Sequence, residues 1–280
     1  MRINTNISSL GAQEAAQNTN KSIANSLEKL STGLKINKAS DDASGLAIAD
    51  KLRTQVTSIN QAVSNGNSAV ALLQIADKSM AEQSKILDTI KAKLIQANTD
   101  TTSNDGRAAV LKDVTKLLGQ LDNIAVQTNY NGTNLLQNDR TTAGAQKGPL
   151  SFQIGENKAD TISTKTIRAN TVGFSLNTLK ALTTLTKTNA ASGQTAVDKA
   201  ITTLNGYRGD IGSTQNQVES AVRNLMTQST NIKAAESVIR DVDYAEESAN
   251  FNKLNIISQA GSYAISQSNA TQQNVLRLLQ

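Results

Sequence analysis

A column of apolar residues with a constant spacing of seven constrains the fold of this chain more than any other feature. Its members are Val197, Leu204, Ile211, Val218, Leu225, Ile232 and Ile239. A seven-residue apolar period is typical of a helix that buries one narrow seam against other helices. At about 1.5 Å rise per residue this helix would be roughly 65 Å long, so we expect an equally long element to pack against it.

Two earlier segments carry seams of the same kind. We predict helices over residues 46–98 and 108–127, joined by a short polar connector. Their seam positions, spaced by multiples of seven within each segment, are Ile59, Leu73, Met80, Leu87 and Leu94 in the first and Val114 and Leu121 in the second. A short connector between amphipathic helices predicts an antiparallel hairpin, which offers the long column a partner.

Both ends of the chain carry amphipathic stripes that have no partner within their own segments. The stripe residues are Ile3, Ile7, Leu10, Ile23, Leu27 and Leu30 at one end, and Leu254, Ile257, Ile265, Val275, Leu276 and Leu279 at the other. The phase of the first stripe changes across residues 11–20, where we expect a stutter or a local break. Because isolated helices of this kind are marginal in water, we expect the two ends to pair with each other.

The middle of the chain differs in character from both ends. Residues 151–154 and 161–166 are β-prone and flank a polar stretch, which predicts a small hairpin. Asn131–Gly132 is a favourable tight-turn pair. The expected fold class is therefore mainly α: a long antiparallel helical, coiled-coil bundle made of both chain ends, with a small β-hairpin in the middle.

The composition argues against most catalytic and binding functions. Aromatic residues make up 2% of the chain, and it contains no Cys, His or Trp. Disulfides, thiolate chemistry and the commonest general base and metal ligand are therefore absent. The formal net charge of +5 arises from scattered Lys and Arg rather than a basic face, which disfavours nucleic-acid binding. We expect no enzyme activity, no cofactor, no metal and no membrane insertion, and we see no apolar core of a signal peptide.

Two short motifs invite a functional interpretation. Ser26 and Lys29 match the S-x-x-K pattern of serine enzymes, but the supporting motifs are missing and coincidence is the better interpretation. Arg208-Gly209-Asp210 matches an integrin-binding tripeptide, yet it lies within the long apolar column rather than in a loop. A chance match is again favoured.

Two acidic groups are best explained by helix capping and solvation. Asp41 and Asp42 lie in a polar connector and lack further oxygen ligands at the spacing that a cation would need. The second group, near the start of the last helical segment, comprises Asp241, Asp243, Glu246 and Glu247. Negative charge near a helix N-terminus is favourable.

Several stretches resemble bacterial flagellin, the subunit of the flagellar filament. They are INTNISSLGAQ (3–13), SLEKLSTGLKINKASDDASGLAIADKLR (26–53), LLQIADKSMAEQSKILDTIKAK (72–93), NYNGTNLL (129–136), IRDVDYAEESANFNKLNIISQAGSYAISQSN (239–269) and QNVLRLLQ (273–280). The ILDTIKAK stretch is most similar to flagellins of the Helicobacter and Campylobacter type. The resemblance covers about the first 140 and the last 90 residues.

The resemblance implies a division of the chain. Residues 1–44 and 240–280 would form an inner-tube coiled coil, the first range with a connector. Residues 45–139 and 193–239 would form a helical outer-tube domain, and residues 140–192 a short variable outer region with the β-hairpin. The chain would self-assemble into a hollow helical homopolymer for swimming motility.

The resemblance also implies partners and a location. Members of this family leave the cell through the flagellar export apparatus, bind a chaperone through the C-terminal helix, and meet cap and hook-associated proteins. The chain would be secreted into the extracellular filament, and its Ser/Thr-rich middle would be a candidate for O-linked sugars. Ile90, Lys91 and Ala92 replace the Arg-Glu-Leu cluster that the Toll-like receptor for flagellin reads in enteric bacteria, which predicts weak receptor activation.

Besides an enzyme built on Ser26 and Lys29, which the missing motifs disfavour, two alternatives remain open at this point. A hook–filament junction protein shares these terminal helices but joins different structures. A secreted adhesin would use residues 208–210 on a receptor.

Overall fold

The computed structural model describes residues 5–138 and 148–278, with side chains described as far as residue 274. The chain forms two compact units, one made of Met1–Val56 and Thr230–Gln280 and the other of Thr57–Ser229. The helices are α1 (Ile7–Thr32), α2 (Ala43–Ala97), α3 (Asn104–Gln127), α4 (Asn177–Lys180), α5 (Lys187–Arg240) and α6 (Tyr244–Leu278). Helices α2 and α5 each contribute residues to both units.

In the first unit, α1 and α6 pack as an antiparallel pair, which is the predicted association of the two chain ends. Across residues 11–20, where one helix with a stutter or a local break was expected, the structure has no break, and α1 is one continuous helix of 26 residues. Six of the ten residues in that stretch are Ala, Gln or Glu, whose high helix propensity carries the helix through the change of stripe phase. Helix α1 ends at Gly33, whose φ of 73° is the left-handed conformation that favours glycine.

In the second unit, α2, α3 and α5 share one apolar core with the segment that precedes α5. Its largest completely buried residues include Leu73, Met80, Leu87, Leu94 and Leu204. Helix α5 begins about ten residues before the predicted column. Its first turns bury Ala190 and Gly193 instead of large apolar residues, so the sequence pattern did not show them.

Small antiparallel strand pairs complete the second unit. Strands β1 (Asn129–Tyr130) and β2 (Thr133–Asn134) pair Tyr130 with Thr133. Strands β3 (Ser151–Gln153) and β4 (Thr161–Ser163) pair Phe152 with Ile162, at the position of the predicted hairpin. The observed architecture confirms the mainly α fold class.

Many hydroxyl groups on the long helices donate back to the carbonyl one turn earlier in the same helix. Thr19 donates to Ala15 O at 2.9 Å in α1. The same pattern recurs at Thr54, Ser68 and Thr89 in α2, at Thr202, Thr203, Thr214 and Thr227 in α5, and at Thr271 in α6. Such back-bonding satisfies a polar side chain without a partner from another element.

Candidate self-assembly surface

Polar contacts set the register of the α1–α6 pair. The Asn6 side chain caps α1 through Ser9 N at 3.0 Å and donates from Nδ2 to Ser268 O at 3.2 Å. Near the middle, Ser258 Oγ donates to Asn20 Oδ1 at 3.3 Å. Residue numbers rise along α1 while those of the partners fall along α6. The two helices are therefore antiparallel, and these contacts hold them in one register.

A buried hydroxyl closes the other end of the pair. Ser26 is 3% exposed, and its Oγ donates to the carboxylate of Glu247. This contact gives Ser26 of the S-x-x-K pattern a role in helix pairing. Its companion Lys29 accepts a backbone hydrogen bond from Gly33 N at the end of α1.

Beyond α1, a short backbone pairing ties the two chain ends together. Lys35 N donates to Arg240 O at 2.7 Å, and Val242 N donates to Gly33 O at 3.0 Å. A Cβ on Gly33 would lie 2.9 Å from Tyr244 Oη, so a larger residue would displace the Tyr244 side chain in addition to straining the backbone at this φ. The turn from α1 is therefore built against the start of α6.

Helix pairing leaves large apolar side chains exposed on both α1 and α6. Of the predicted stripe residues, Ile7 is 66% exposed, Leu10 55%, Leu27 54% and Ile257 42%. The half-buried stripe residues are Ile23, Leu30, Leu254 and Ile265. Ile3 and Leu279 lie outside the described residues, as do the side chains of Val275 and Leu276.

Further exposed apolar residues were missed by the sequence analysis. Ile256 is 67% exposed, Tyr263 73% and Val238 84%. Ile256 and Tyr263 fall outside the three-four stripe that pairs α6 with α1, and Val238 lies near the end of α5, so a search for one stripe passes over all three. A second apolar line on α6 is the signal that would have found Ile256 and Tyr263.

The predicted seam of the second unit faces its core over most of its length. Ile59, Leu73, Met80, Leu87, Leu94, Val114, Leu121, Val197, Leu204, Ile211 and Val218 are buried. Leu225 is half-buried, and so are Ile232 and Ile239, which belong to the first unit. Gly66, at a seam position of α2, lies against Val222, and a Cβ there would meet Val222 Cγ2 at 2.4 Å.

Two buried polar residues were not anticipated from the sequence. Asp122 is 1% exposed and accepts from Thr171 N at 2.8 Å, from Thr171 Oγ1 at 3.0 Å and from Lys180 Nζ at 2.5 Å. Gln83 is fully buried, and its Nε2 donates to Leu121 O at 3.1 Å and to Ala169 O at 2.8 Å. Together they fasten the segment before α5 onto α2 and α3.

The three positions compared with the receptor-binding cluster differ in their surroundings. Ile90 is completely buried in the core. Lys91 Nζ lies 2.6 Å from Asp198 Oδ1 on α5, and Ala92 is exposed. Ile90 and Lys91 thus make contacts within the second unit, the first by apolar packing and the second by an ion pair.

The Arg208–Asp210 tripeptide lies inside α5, and both of its charged side chains are engaged. Arg208 Nε donates to Asp77 Oδ1 at 2.9 Å on α2. Asp210 Oδ1 accepts from Lys165 Nζ at 2.8 Å. A helical, ion-paired tripeptide lacks the extended, accessible geometry that a loop-binding receptor requires.

The first acidic pair is part of the polar connector and of the helix that follows it. Asp41 Oδ2 accepts from the backbone N–H groups of Asn37 and Lys38 at 3.1 and 3.0 Å. These two bonds hold the pKa of the Asp41 carboxyl below its ordinary value. Asp42 Oδ1 caps the start of α2 through Ser44 N and Gly45 N.

The second acidic group serves the start of α6. Asp243 Oδ1 accepts from Ala245 N and Glu246 N at 2.9 and 3.2 Å, and Glu246 and Glu247 lie in the first helical turn. Asp241 Oδ2 accepts from Ser237 Oγ at 2.6 Å. Across residues 5–138 and 148–278, no cluster of three acidic side chains has the arrangement of a metal site.

No helix in the described part of the chain is long and apolar enough to cross a membrane.

The chain matches known proteins along its whole length. Residues 3–141 match the bacterial flagellin N-terminal helical region, and residues 194–279 match the bacterial flagellin C-terminal helical region. The flagellar filament 31.3 kDa core protein of Treponema maltophilum is 33% identical over 286 residues, covering 100% of each chain. The flagellin of Bacillus subtilis strain 168 is 34% identical, again covering 100% of each chain.

A solved structure described as a flagellar hook-associated protein of Vibrio parahaemolyticus has a similar fold. Its TM-score is 0.58 at 12% identity, covering 71% of this chain and 99% of that chain. That likeness concerns the fold alone. With both helical end regions matched and two full-length relatives above 30% identity, the chain belongs to the bacterial flagellin family.

Proposed function

We propose that this protein is a structural subunit of the flagellar filament and that it self-assembles through α1 and α6. One observation carries the proposal. After α1 and α6 have paired, Ile7, Leu10 and Leu27 on one helix and Ile256 and Tyr263 on the other are still mostly exposed. Helices paired within one chain would leave such residues in water, whereas contacts with further copies would bury them.

The energetics favour many weak contacts over one strong contact. Apolar burial contributes about 25 cal/mol per Å², so a few hundred Å² at each helix offsets only part of the entropy of ordering it. We therefore expect the terminal helices of the free subunit to be largely disordered. Several neighbours in a helical lattice would order them together, which makes assembly cooperative and head-to-tail.

We also propose the domain roles implied by the resemblance. Residues 1–44 and 240–280 would line an inner tube, residues 45–139 and 193–239 would form the outer tube, and residues 140–192 would face outward. The two compact units support a division of this kind, although their boundaries at residues 56 and 230 differ from the proposed ones.

The partners and the location follow from the same assignment. We propose that the chain is exported through the flagellar secretion apparatus to the extracellular filament, and that a chaperone protects residues 250–280 before export. Subunits would then add beneath the filament cap, beyond the hook-associated proteins. The supporting feature is the exposed apolar surface of α6, which would aggregate in the cell if left uncovered. The proposed role is structural and involves no catalysis.

Deletion of residues 250–280 tests the assembly proposal. We expect the truncated protein to stay a monomer, by light scattering and electron microscopy, at concentrations where the full chain forms tubes. A deletion confined to residues 141–146, in the variable middle, is the matched control and should polymerise. Normal filaments from the first truncation would overturn the proposal.

The two alternatives have weaker support. A hook–filament junction role shares the terminal helices, but the two full-length relatives are named a flagellar filament core protein and a flagellin. High copy number in sheared surface filaments would distinguish the two roles. An adhesin role would have to break the ion pairs of Arg208 and Asp210, so an Asp210→Glu variant should leave cell attachment unchanged.

We also propose three further properties, which concern receptor recognition, glycosylation and the subfamily. Weak activation of the Toll-like receptor is expected from Ile90, Lys91 and Ala92, and strong stimulation of a reporter cell by purified monomer would contradict it. O-linked sugars on residues 141–192 would make the intact mass exceed 29.6 kDa. The similarity of ILDTIKAK to the Helicobacter and Campylobacter type stays a prediction about the subfamily.

A further inference from the structure

The chain contains three asparagine–glycine pairs, and they occupy two different backbone settings. Asn65–Gly66 lies inside α2 and Asn205–Gly206 inside α5, whereas Asn131–Gly132 forms the two-residue turn between β1 and β2. Both turn residues are exposed, with φ of 48° at Asn131 and 77° at Gly132. Positive φ at both central positions is the requirement of a type I′ hairpin turn.

We propose that Asn131 is a site of spontaneous deamidation, with water as the only co-reactant. The Gly132 backbone nitrogen, after losing its proton to solvent base, attacks the Asn131 side-chain carbonyl carbon. The new N–C bond closes a five-membered succinimide ring as the bond to Nδ2 breaks and ammonia leaves. Water then opens the ring at either carbonyl and leaves aspartate or isoaspartate. This inference does not depend on the filament role.

The turn leaves the reacting groups available. Tyr130 pairs with Thr133, so the cross-strand ladder lies outside the turn and does not require the Gly132 N–H. Nothing lies within 4 Å of the position of a Gly132 Cβ, so the turn is open on that side of the glycine. Each strand of the hairpin has two residues, and so small a hairpin opens readily. Ring closure can therefore sample the geometry it needs.

The helical pairs are protected by contrast. In a helix the glycine N–H donates to the carbonyl four residues earlier, and the asparagine backbone is held at helical dihedral angles. Asn65 is further fixed because its Oδ1 accepts from Gln61 Nε2 at 3.0 Å and its Nδ2 donates to Gln153 O at 3.3 Å. Asn205 and Gly206 are both exposed, so this pair differs from the turn mainly in being helical.

The product would alter the turn in two ways. One new carboxylate lowers the formal net charge by one from +5, and isoaspartate adds a carbon to the backbone of the turn. The chain after the turn enters the core directly, since Leu135 N donates to Thr128 O at 3.0 Å and both Leu135 and Leu136 are completely buried. A lengthened turn no longer matches the two-residue register, so isoaspartate should loosen the hairpin.

Ageing of the intact full-length protein at mildly alkaline pH, followed by tryptic peptide mapping, tests the proposal. Deamidation adds about 1 Da to a peptide and isoaspartate shifts its retention. We expect Asn131 to react at least about tenfold faster than Asn205, because ~1.4 kcal/mol of opening free energy in α5 already gives a factor of ten. The rate at Asn131 should rise with pH.

The denatured protein is the matched control, because in it all three pairs should react at similar rates. Equal rates at Asn131 and Asn205 in the folded protein would overturn the proposal, as would an unmodified Asn131 under conditions where the denatured chain reacts. An Asn131→Asp variant supplies the reference mass and retention time of the aspartate product.

Discussion

Ser26 in α1 and Glu247 in α6 are 221 residues apart in the chain, yet the buried Ser26 hydroxyl donates to the Glu247 carboxylate. A hydrogen bond to a charged group contributes more than a neutral one and has no solvent substitute when its donor is buried. This contact therefore helps to select one register for the two chain ends.

Ser26→Ala should weaken assembly without affecting the second unit. Loss of this bond should cost about 2 kcal/mol, which corresponds to about a thirtyfold rise in the critical concentration for polymerisation. Sedimentation of filaments at a series of protein concentrations would measure it. Ser22→Ala is the control, because the exposed Ser22 hydroxyl donates only to Asn18 O in its own helix. An unchanged critical concentration for Ser26→Ala would show that the bond does not contribute.

Ile256→Ser should separate folding from assembly. The side chain is 67% exposed in the single chain, so thermal unfolding of the free subunit should change little. If a neighbouring copy buries it, its loss should cost about 2 kcal/mol, or a rise in critical concentration of about thirtyfold. Gln259→Ser, an exposed polar change on the same helix, should leave assembly intact. Wild-type polymerisation by Ile256→Ser would place this side chain outside the subunit contacts.

Asp122→Ala should destabilise the second unit. The carboxylate is buried and accepts from Thr171 twice and from Lys180, so its removal leaves these donors unsatisfied and should cost about 3 kcal/mol. Chemical denaturation monitored by circular dichroism would measure the loss. Exposed Gln120→Ala on the same helix should have an effect below about 0.5 kcal/mol. A similar effect for both variants would argue against the Asp122 network.

Two exposed ion pairs should make the second unit sensitive to acid. The hydrogen bond and charge of Lys187 lower the pKa of Asp100 from its ordinary 3.8, and Lys93 does the same for Asp113. Because the two pKa values are lower in the folded state, the unfolded state binds more protons than the folded state in this pH range. The pairing contributes stability above the ordinary pKa and loses it as the pH falls through the lower folded-state pKa.

Between neutral pH and about pH 3, the melting temperature of the double variant Asp100→Asn, Asp113→Asn should accordingly fall less than that of the parent protein. Added salt should reduce the difference, because both pairs are exposed to solvent. Equal pH slopes for the two proteins would contradict the assignment.

The heptad columns could be predicted because they are local, with each residue constrained by positions three, four or seven away. Leu87 and Leu204 were identified in this way without knowledge of the fold. Asp122 and Gln83 could not be, since their partners Thr171 and Ala169 lie 49 and 86 residues away. The sequence gives no sign of which distant backbone group a buried polar side chain will meet.

The self-assembly surface was only partly predictable for a related reason. A stripe search finds the face that pairs α1 with α6, as at Leu254, but cannot say which residues remain exposed after pairing. Ile256 follows two residues later and points elsewhere. Its exposure depends on the relative rotation of two helices, which only their three-dimensional contact defines.

The hydroxyl groups that donate to a carbonyl of their own helix also affect the free energy of packing such helices side by side. Thr202 and Thr203, each donating at 2.9 Å to a carbonyl of α5, are satisfied before any neighbour arrives. Covering them releases loosely held water and breaks no obligatory bond, so the dehydration penalty of their surface is small. Threonine and serine can thus replace aliphatic residues on helix faces that are solvated in the free chain and lose that water when chains pack side by side.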